Sequence, residues 1–436
     1  MDNERLEKLQ ISNEKTKSHN TSVGESVLGV PCKDRRIVTR RTKSLSGQCD
    51  LKTGHVDFGL LIGGQSRHTE NDFIRRSADR SLTPFQQADW RASWQRKVGN
   101  IGGILPITVF LTFMGRTIAV LPLAVYETRH LKVLAWHAFA QSDYCAPIVD
   151  RNYLNKFCEI DFENILKHIA FRIGAVDLVY LTKQPLSIEG RRNPLNLHKG
   201  FDYHVGSHAI NFIAGETWEQ FLASRRSPST LRQLRKKERQ LKTFGEVEFR
   251  VASTSEEGRV IAEHCLLAKS RQLAKLGHND PFSLPGVREF LVDFFAGGIG
   301  HSTWATVLTL NGEILATSVG MASQSGWLLY QMALDGDHVS HCSPGSQLFS
   351  GIMRHCLESE IARLDLALGD EKYKLEWCDE HETLKTSVLP LTLKGKIATL
   401  ILRVRGWIMK FVASNPHLYE HGKALKHRIR AMGILV

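Results

Sequence analysis

Short hydrophobic runs separated by polar turns dominate the chain from residue 83 onward. In the first half, period-two and continuous apolar runs alternate with stretches in which apolar residues recur at helical spacing. The predicted elements are a helix at 84–94, a hairpin formed by 106–113 and 117–126, a third strand at 131–138, a helix at 160–173 and a strand at 176–181. Residues 184–217 predict a long irregular connection with one short strand at 209–213.

The second half repeats this order after a helical region. Asn311-Gly312 is the strongest short hairpin signal in the chain, because both residues tolerate the positive φ angles of a tight turn. The predicted elements begin with helices at 218–222 and 228–244, a strand at 247–251 and helices at 260–276 and 285–295. A hairpin formed by 302–310 and 313–319, a third strand at 327–334, a helix at 344–358 and a strand at 363–368 follow.

An internal similarity links the two hairpins. Residues 110–119 can be laid on residues 307–316 so that Leu, Thr, Gly and Ala coincide, and a third strand, a helix and a further strand follow in both places. This agreement favours a duplicated α/β unit. The alternative is that two unrelated hairpins share common turn chemistry.

The helix predicted from Pro344 has the features of an anion-binding start. Ser343 can cap it, Pro344 suits the first helical position, and Gly345 lets another molecule approach the backbone. The strand that follows the helix ends at Gly369 and opens on a run of charged residues. A helix N-terminus beside such a strand end can hold a phosphorylated cofactor, and from these residues alone a simple helix cap is equally favoured.

The positive charge of the chain is local. The formal net charge is +12, but residues 225–245 carry eight Lys or Arg with one Glu, and residues 392–436 carry nine with one Glu. The remainder is slightly acidic, which argues against a general nucleic-acid-binding protein and favours two local surfaces for anions. None of the eight cysteines forms a Cys-x-x-Cys pair, so we expect no zinc ribbon, no disulfide framework and no metal.

The two ends of the chain differ from its middle in composition. Residues 1–80 are polar and poor in aromatics, so they predict a disordered arm, in which the run near Phe58 could dock locally. Residues 392–436 predict a basic amphipathic helix that either packs on the protein or lies on an anionic membrane surface. Without a signal sequence or an uninterrupted apolar span, we expect a cytoplasmic protein with at most peripheral contact at the inner membrane.

Three segments together resemble a known family. They are Trp218 with the basic stretch Ser229–Leu241, then Ser343-Pro-Gly, then Gly369-Asp-Glu-Lys-Tyr-Lys374 with Trp377. Over about residues 84–391 the chain resembles the cellulose-biosynthesis acetyltransferases called CelD/BcsL, which have the GNAT fold and are similar to the double-GNAT FemAB peptidyltransferases. The resemblance implies an α/β fold of two tandem GNAT-like units, at residues 84–200 and 218–391, with mixed sheets flanked by helices.

The resemblance also implies a reaction and residues for it. An acyl group, acetyl in the first instance, would pass from acyl-coenzyme A to an amine or hydroxyl on a small molecule or a glycan or lipid-linked acceptor, in exopolysaccharide synthesis. The expected donor-binding residues are Ser343, Gly345, Ser346 and Gln347; the expected catalytic residues are Asp370, Glu371, Lys372, Tyr373 and Lys374; the expected acceptor-binding residues are Tyr330, Asp335, His341, Arg232 and Arg235.

Each group of residues has an expected role. One lysine would stabilise the oxyanion or the phosphates, Tyr373 would donate to the departing thiolate, and Asp370 or Glu371 would serve as base if burial raised its pKa. Lys372 and Lys374 would share one face if the strand continued through them.

Two other functions stay open at this point. A FemAB-like enzyme would take its acyl group from aminoacyl-tRNA, which the basic segments and the single glycine of Ser343-Pro-Gly favour. A non-catalytic scaffold of a polysaccharide synthesis complex would keep the fold without the chemistry.

Overall fold

The turns of the two predicted hairpins have the same backbone geometry. Asn311 and Gly312 have φ angles of 51° and 82°, and Met114 and Gly115 have 50° and 75°. Positive φ at both central residues is the geometry of the tight turn that suits twisted strands. The prediction of a hairpin at each place is confirmed.

The computed structural model describes residues 43–51, 54–63, 83–198, 200–323 and 326–413. The strands are β1 (Lys43–Leu51), β2 (Gly54–Ile62), β3 (Leu105–Phe113), β4 (Arg116–Glu127), β5 (Lys132–Trp136), β6 (Ile148–Val149), β7 (Leu178–Gln184), β8 (Ser187–Ile188), β9 (Arg191–Arg192), β10 (Phe201–Asn211), β11 (Val247–Val251), β12 (Thr303–Leu310), β13 (Glu313–Ser323), β14 (Gly326–Leu334), β15 (Arg363–Leu368) and β16 (Glu380–Pro390). The α-helices are α1 (Ala88–Trp94), α2 (Leu154–Cys158), α3 (Phe162–Ile173), α4 (Trp218–Arg225), α5 (Pro228–Lys242), α6 (Ser255–Lys275), α7 (Val287–Gly297), α8 (Pro344–Glu358), α9 (Lys372–Trp377) and α10 (Leu393–Ala413).

One mixed sheet runs through the described part of the chain. Its strand order is β1-β2-β3-β4-β5-β7-β16-β10-β15-β14-β13-β12-β11, with β6 paired to β4, while β8 and β9 pair separately. Each half contributes an antiparallel meander, then a helix, then a strand parallel to the third meander strand: β7 beside β5, and β15 beside β14. The expectation of a mixed α/β fold built from two similar units with flanking helices is confirmed.

The two units exchange strands at the centre of the sheet. β10, which extends the first unit beyond the expected residue 200, pairs with β15 of the second unit. The last strand of the second unit, β16, pairs with β7 of the first. β10 and β16 also pair with each other. Because each unit's central edge is covered by the other unit, neither unit is a self-contained sheet.

The hairpin registers support duplication. Leu111 pairs with Ala119, and Leu308 pairs with Ala316, and in each hairpin the register shifts at the next residue toward the turn. These are the positions that coincide in the sequence comparison. Turn chemistry alone does not require a bulge at the same place, so the agreement favours duplication over convergence.

Helices cover both faces of the sheet. On one face a single cluster spans both units and contains buried residues of α1, α6 and α7, including Trp90 and Phe290. On the other face, α2 and α3 cover the first unit and α4 and α8 cover the second. In β4, for example, Ala124 and Tyr126 join the shared cluster and Val125 joins the opposite one, as the period of a strand requires.

The N-terminal arm was predicted to be disordered over residues 1–80, and this is wrong for residues 43–62. β1 and β2 form a hairpin that pairs with β3, and Val56, Phe58 and Leu60 are buried. Sequence reasoning recognised only the local docking of the Phe58 run. Residues 1–42 and 64–82 lie outside the described residues.

Two other regions differ from expectation. The connection after β7 contains an eleven-residue strand, β10, where only residues 209–213 were predicted. In the tail, α10 packs Ala398 and Leu402 against the shared cluster and leaves a stripe exposed, formed by Leu393, Ile397, Leu400, Ile401 and Val404. Residues 414–436 lie outside the description. None of the helices between residues 83 and 413 is both long enough and apolar enough to cross a bilayer.

Candidate active site

The parallel strands β14 and β15 form an opening in the second unit. They pair only at Trp327 with Leu364 and at Leu328 with Asp365. Beyond that point β14 continues along β13 and β15 continues along β10, so their C-terminal ends separate. Functional groups in α/β folds gather at such a crevice.

A loop of the first unit enters this opening. The Tyr330 hydroxyl on β14 donates to the Gln141 carbonyl at 3.1 Å, and the Tyr144 hydroxyl donates to Oδ1 of Asp365 on β15 at 2.7 Å. Tyr330 also packs against Phe85 and Trp90. The opening is therefore lined by both units, and Tyr330, expected to bind the acceptor, anchors the loop.

Carboxylates and lysines meet beside this loop. Lys374, only 5% exposed, donates from Nζ to the Leu368 carbonyl at 2.6 Å and lies 3.1 Å from Glu371. Lys183 donates to the Ser142 carbonyl at 2.7 Å. Both ammonium groups interact electrostatically with Asp143. Lysines are rarely buried unless they are paired, and a buried group of this kind in a crevice is a candidate functional site.

Burial perturbs the two carboxyls. It raises the pKa of Asp143, against the opposing effects of Lys183 and Lys374. It also raises the pKa of Asp365, although Arg363 and the Tyr144 hydroxyl favour the ionised form. A carboxyl with a raised pKa can exchange a proton with substrate nearer to neutral pH, so these two groups have the properties of an acid or base.

Of the five expected catalytic residues, only Lys374 and Glu371 reach this cluster. Residues 372–377 form the helix α9 rather than an extended strand, so Lys372 and Lys374 point in different directions. The Lys372 side chain is 91% exposed and pairs with Glu376. Tyr373 packs its ring against Phe349 of α8. The two lysines were expected to share a face only if the strand continued through them, and this condition is not met.

Asp370 has partners other than the lysines of this cluster. His208 contacts its Oδ1 at 3.1 Å and the Gly206 N–H donates to it at 3.1 Å. Partial burial raises the pKa of Asp370, but these hydrogen bonds outweigh it and leave the pKa below its usual value. Asp370 therefore does not meet the condition set for the base, whereas burial raises the pKa of Asp143 and Asp365 beside the opening.

The start of α8 is built differently from the predicted backbone cradle. Ser343 adopts a left-handed conformation and does not cap the helix. Its hydroxyl accepts from Nζ of Lys237 at 2.7 Å, while the N–H groups of Ser346 and Gln347 turn to the Ser343 carbonyl. Gly345 is buried against Leu334. The Lys237 ammonium and the positive helix end fit a phosphate at this corner, whereas a glycine-rich cradle for a diphosphate is not formed.

The other expected acceptor-binding residues lie apart from this cluster. Asp335 pairs with Arg271 at 2.6 Å and His264 at 3.1 Å. His341 is exposed and meets Phe244 edge to face. Arg232 and Arg235 lie on the exposed side of α5.

Two adjoining clefts lie on the first unit, the second of them between that unit and β16. One, of about 600 Å³, is at the start of α3 and includes Asp161, Arg191 and Arg192. The other, of about 430 Å³, includes Lys385 and Ser387, and both include Arg192 and His198. Sequence reasoning missed these clefts, since they form where the connection after β7 folds back on β16.

Sequence reasoning also missed Asp143 and the role of Asp365. A signal existed for Asp365, a carboxylate between Leu364 and Leu366 in a strand whose neighbours are buried. Asp143 lies in a loop between the predicted elements and has no such signal.

The raised pKa of Asp365 predicts a pH-dependent effect on stability. The folded state favours the neutral carboxyl of Asp365, and this preference contributes to the free energy of unfolding. The whole contribution is present below the usual carboxyl pKa of about 4, and it is lost as pH rises through the folded-state pKa. In Asp365→Asn the amide oxygen can still accept from Tyr144. We expect the melting temperature of this variant, relative to the unmodified protein, to increase as pH rises from about 4.

Asp293 provides a control of opposite sign. Hydrogen bonds from Lys97 and Arg259 hold the pKa of Asp293 below its usual value, so its contribution is present at neutral pH and lost in acid. The melting temperature of Asp293→Asn, relative to that of the unmodified protein, should decrease as pH rises. If the difference in melting temperature between Asp365→Asn and the unmodified protein were the same at every pH, the assignment of a raised pKa to Asp365 would be wrong.

Comparison with known proteins adds one finding and several weaker likenesses. A family model described as acetyltransferase (GNAT) domain matches residues 228–375. No protein of curated function matches the chain in sequence.

Three solved structures are similar in outline. FemX is 11% identical, with a TM-score of 0.49 over 74% of this chain and 96% of FemX. The C-terminal domain of a putative lysylphosphatidylglycerol synthetase from Agrobacterium fabrum is 14% identical, with a TM-score of 0.44 over 77% and 97% of the two chains. A tandem GNAT protein from the clavulanic acid biosynthesis pathway is 10% identical, with a TM-score of 0.41 over 76% and 99%. These values are too low to assign a function. Residues 228–375, which hold β14, α8, β15 and Lys374, are similar to the acetyltransferase (GNAT) domain family.

Proposed function

We propose that this protein is a GNAT-type acyltransferase that moves an acyl group, acetyl in the first instance, from acyl-coenzyme A to an amine or hydroxyl. One observation carries the proposal: the segment similar to GNAT acetyltransferases contains the diverging strands β14 and β15 and the buried Lys374 beside Asp365. The role in exopolysaccharide synthesis and the CelD/BcsL assignment rest on the sequence resemblance.

The cluster has the groups that acyl transfer requires. The donor supplies a thioester whose carbonyl carbon is open to attack. Asp143 or Asp365 accepts the proton of the attacking amine or hydroxyl as the new C–N or C–O bond forms. Lys374 donates a hydrogen bond to the carbonyl oxygen as that oxygen gains negative charge. The electron pair then re-forms the C=O double bond as the C–S bond breaks and coenzyme A leaves as thiolate. Burial keeps the pKa of the Tyr144 and Tyr330 hydroxyls well above the usual value, so both remain hydrogen-bond donors.

We assign the two ends of the reaction to different units. Phosphates of the donor would contact Lys237 at the start of α8. The clefts that include Arg192 would hold the acceptor, and their basic side chains suit a phosphate-linked glycan or lipid. The exposed apolar stripe of α10 with its lysines and arginines suits peripheral contact with an anionic membrane.

Lys237→Gln tests the donor site. Removing the ammonium should weaken acetyl-coenzyme A binding about tenfold or more, the value of one charge-assisted hydrogen bond. Calorimetry on the full chain measures it. Lys236→Gln, the exposed neighbour on the same helix, is the matched control and should bind almost as the unmodified protein does. Equal affinities for all three proteins would remove Lys237 from the donor site.

An aminoacyl-tRNA donor is the second candidate. The observation in its favour is that α5, which exposes Arg232, Arg235, Lys236 and Arg239, packs at the start of α8, where a diphosphate cradle is not formed. In that case coenzyme A would not compete with the donor, and tRNA binding would fall steeply between low and moderate salt. Thiol release from acetyl-coenzyme A with a panel of amines and sugars would decide for the first candidate.

A further inference from the structure

A cluster of two histidines and one aspartate lies where the exchanged strands meet. His208 on β10 and His381 on β16 are direct partners across the antiparallel pair. Asp370 reaches them from the loop between β15 and α9. One ligand atom from each of the three side chains lies within 4.8 Å of the other two. Three separate segments therefore bring metal-binding side chains to one point.

The geometry of the pair formed by His208 and Asp370 is already that of two ligands on one ion. Nε2 of His208 and Oδ1 of Asp370 are 3.1 Å apart. With metal–ligand bonds of about 2.0–2.1 Å in a tetrahedral zinc site, two ligand atoms lie about 3.3 Å apart. A proton now bridges these atoms as a hydrogen bond, and a metal ion could replace it with little movement of either side chain.

The third side chain, His381, lies close to the other two because the glycine at residue 206 leaves space for its ring. The His381 ring lies over Gly206, and a Cβ at residue 206 would collide with the ring. The two imidazole rings are 4.8 Å apart between centroids and tilted by 39°. His381 is exposed, so its ring is free to turn toward an ion bound between His208 and Asp370.

The surroundings suit a zinc site that keeps one coordination position open to solvent. The His208 side chain is 1% exposed and fixes one ligand, whereas Asp370, at 44%, leaves a path from solvent. The Gly206 N–H donates to Asp370 and orients the carboxylate, as outer hydrogen bonds do in metal sites. Two imidazoles and one carboxylate are a donor set for Zn²⁺, with water in the fourth position.

From this juxtaposition we propose that His208, Asp370 and His381 bind one Zn²⁺ ion, which ties β10 and β16 to the loop that leads into α9. The site joins strands that the two units exchange and precedes Lys374 by one short segment of chain. Its expected consequence is a more stable junction between the units. The inference does not depend on the acyltransferase proposal.

The test is zinc binding to the full chain, freed of metal with a chelator and carrying no affinity tag. Calorimetry and competition with a chelating dye should show one equivalent of Zn²⁺, and melting temperature should rise when the ion is added. Asp370→Asn and His381→Ala change exposed ligands and should each weaken binding at least about tenfold. His338→Ala is the control, because His338 pairs with the single carboxylate of Glu313.

Binding of one ion that is lost in both ligand variants and kept in His338→Ala establishes the site. If saturable binding is missing, or if Asp370→Asn and His381→Ala bind zinc as tightly as the control, the cluster is a hydrogen-bonded junction only and the proposal is wrong.

Discussion

Lys374→Met is expected to reduce kcat by about 10²–10³-fold, the range for loss of one donor to a developing oxyanion. KM for both substrates should change little, since the contact forms as the carbonyl oxygen gains charge. Methionine keeps the length of the apolar stem, so the packing of α9 on the cluster is retained. Steady-state kinetics with acetyl-coenzyme A and the best acceptor, together with the melting temperature, measure the effect.

Lys372→Met is the matched control, because it makes the same substitution two residues away on a side chain that is 91% exposed. We expect activity close to that of the unmodified protein. If both variants kept nearly full kcat, Lys374 would be a structural residue that neutralises Asp143 and Asp365. A loss that appears only in KM would place it in substrate binding.

Phe58→Ala is expected to lower the free energy of unfolding by about 3–5 kcal/mol, the usual cost of emptying a buried phenylalanine site. Phe58 is 2% exposed on β2 and packs in the cluster beneath the first unit, and its ring also fills the space above Gly47 of β1. Denaturant unfolding followed by circular dichroism measures the change.

Phe171→Ala is the comparison for this prediction. The same atoms are removed, but Phe171 is 83% exposed on α3, so we expect a change within about 0.5 kcal/mol. If Phe58→Ala were as mild as Phe171→Ala, the hairpin of β1 and β2 would be a loosely attached arm, as the sequence alone suggested.

Much of the fold could be predicted from the sequence because its signals are local. Asn311-Gly312 determines a turn whatever surrounds it, and the apolar spacing after Pro344 places a helix. β1 escaped prediction because its run Lys43–Leu51 has little apolar pattern of its own. Its strand conformation depends on the neighbour: the backbone of β1 pairs with β2 along its whole length.

The candidate site was predicted less well, for a physical reason. Lys374 was found because it lies in a recognisable run after Gly369, but its role could not be separated from that of Lys372. The separation depends on α9 being a helix, and a six-residue helix has too few residues for a periodic signal. Asp143 was missed because its partial burial depends on a loop of one unit entering the other.

The sequence by itself determined the two central hairpins, the repeated order of meander, helix and strand, and the location of the basic helix, since these depend on propensities and spacing along a few consecutive residues. Tertiary structure alone decided which carboxyls are partly withdrawn from water, which lysine is buried, and that β10 and β16 exchange between the units. Those properties come from contacts between residues far apart in the chain, such as Tyr144 with Asp365 and His208 with His381. Desolvation and strand pairing act across such contacts, and no local pattern records them.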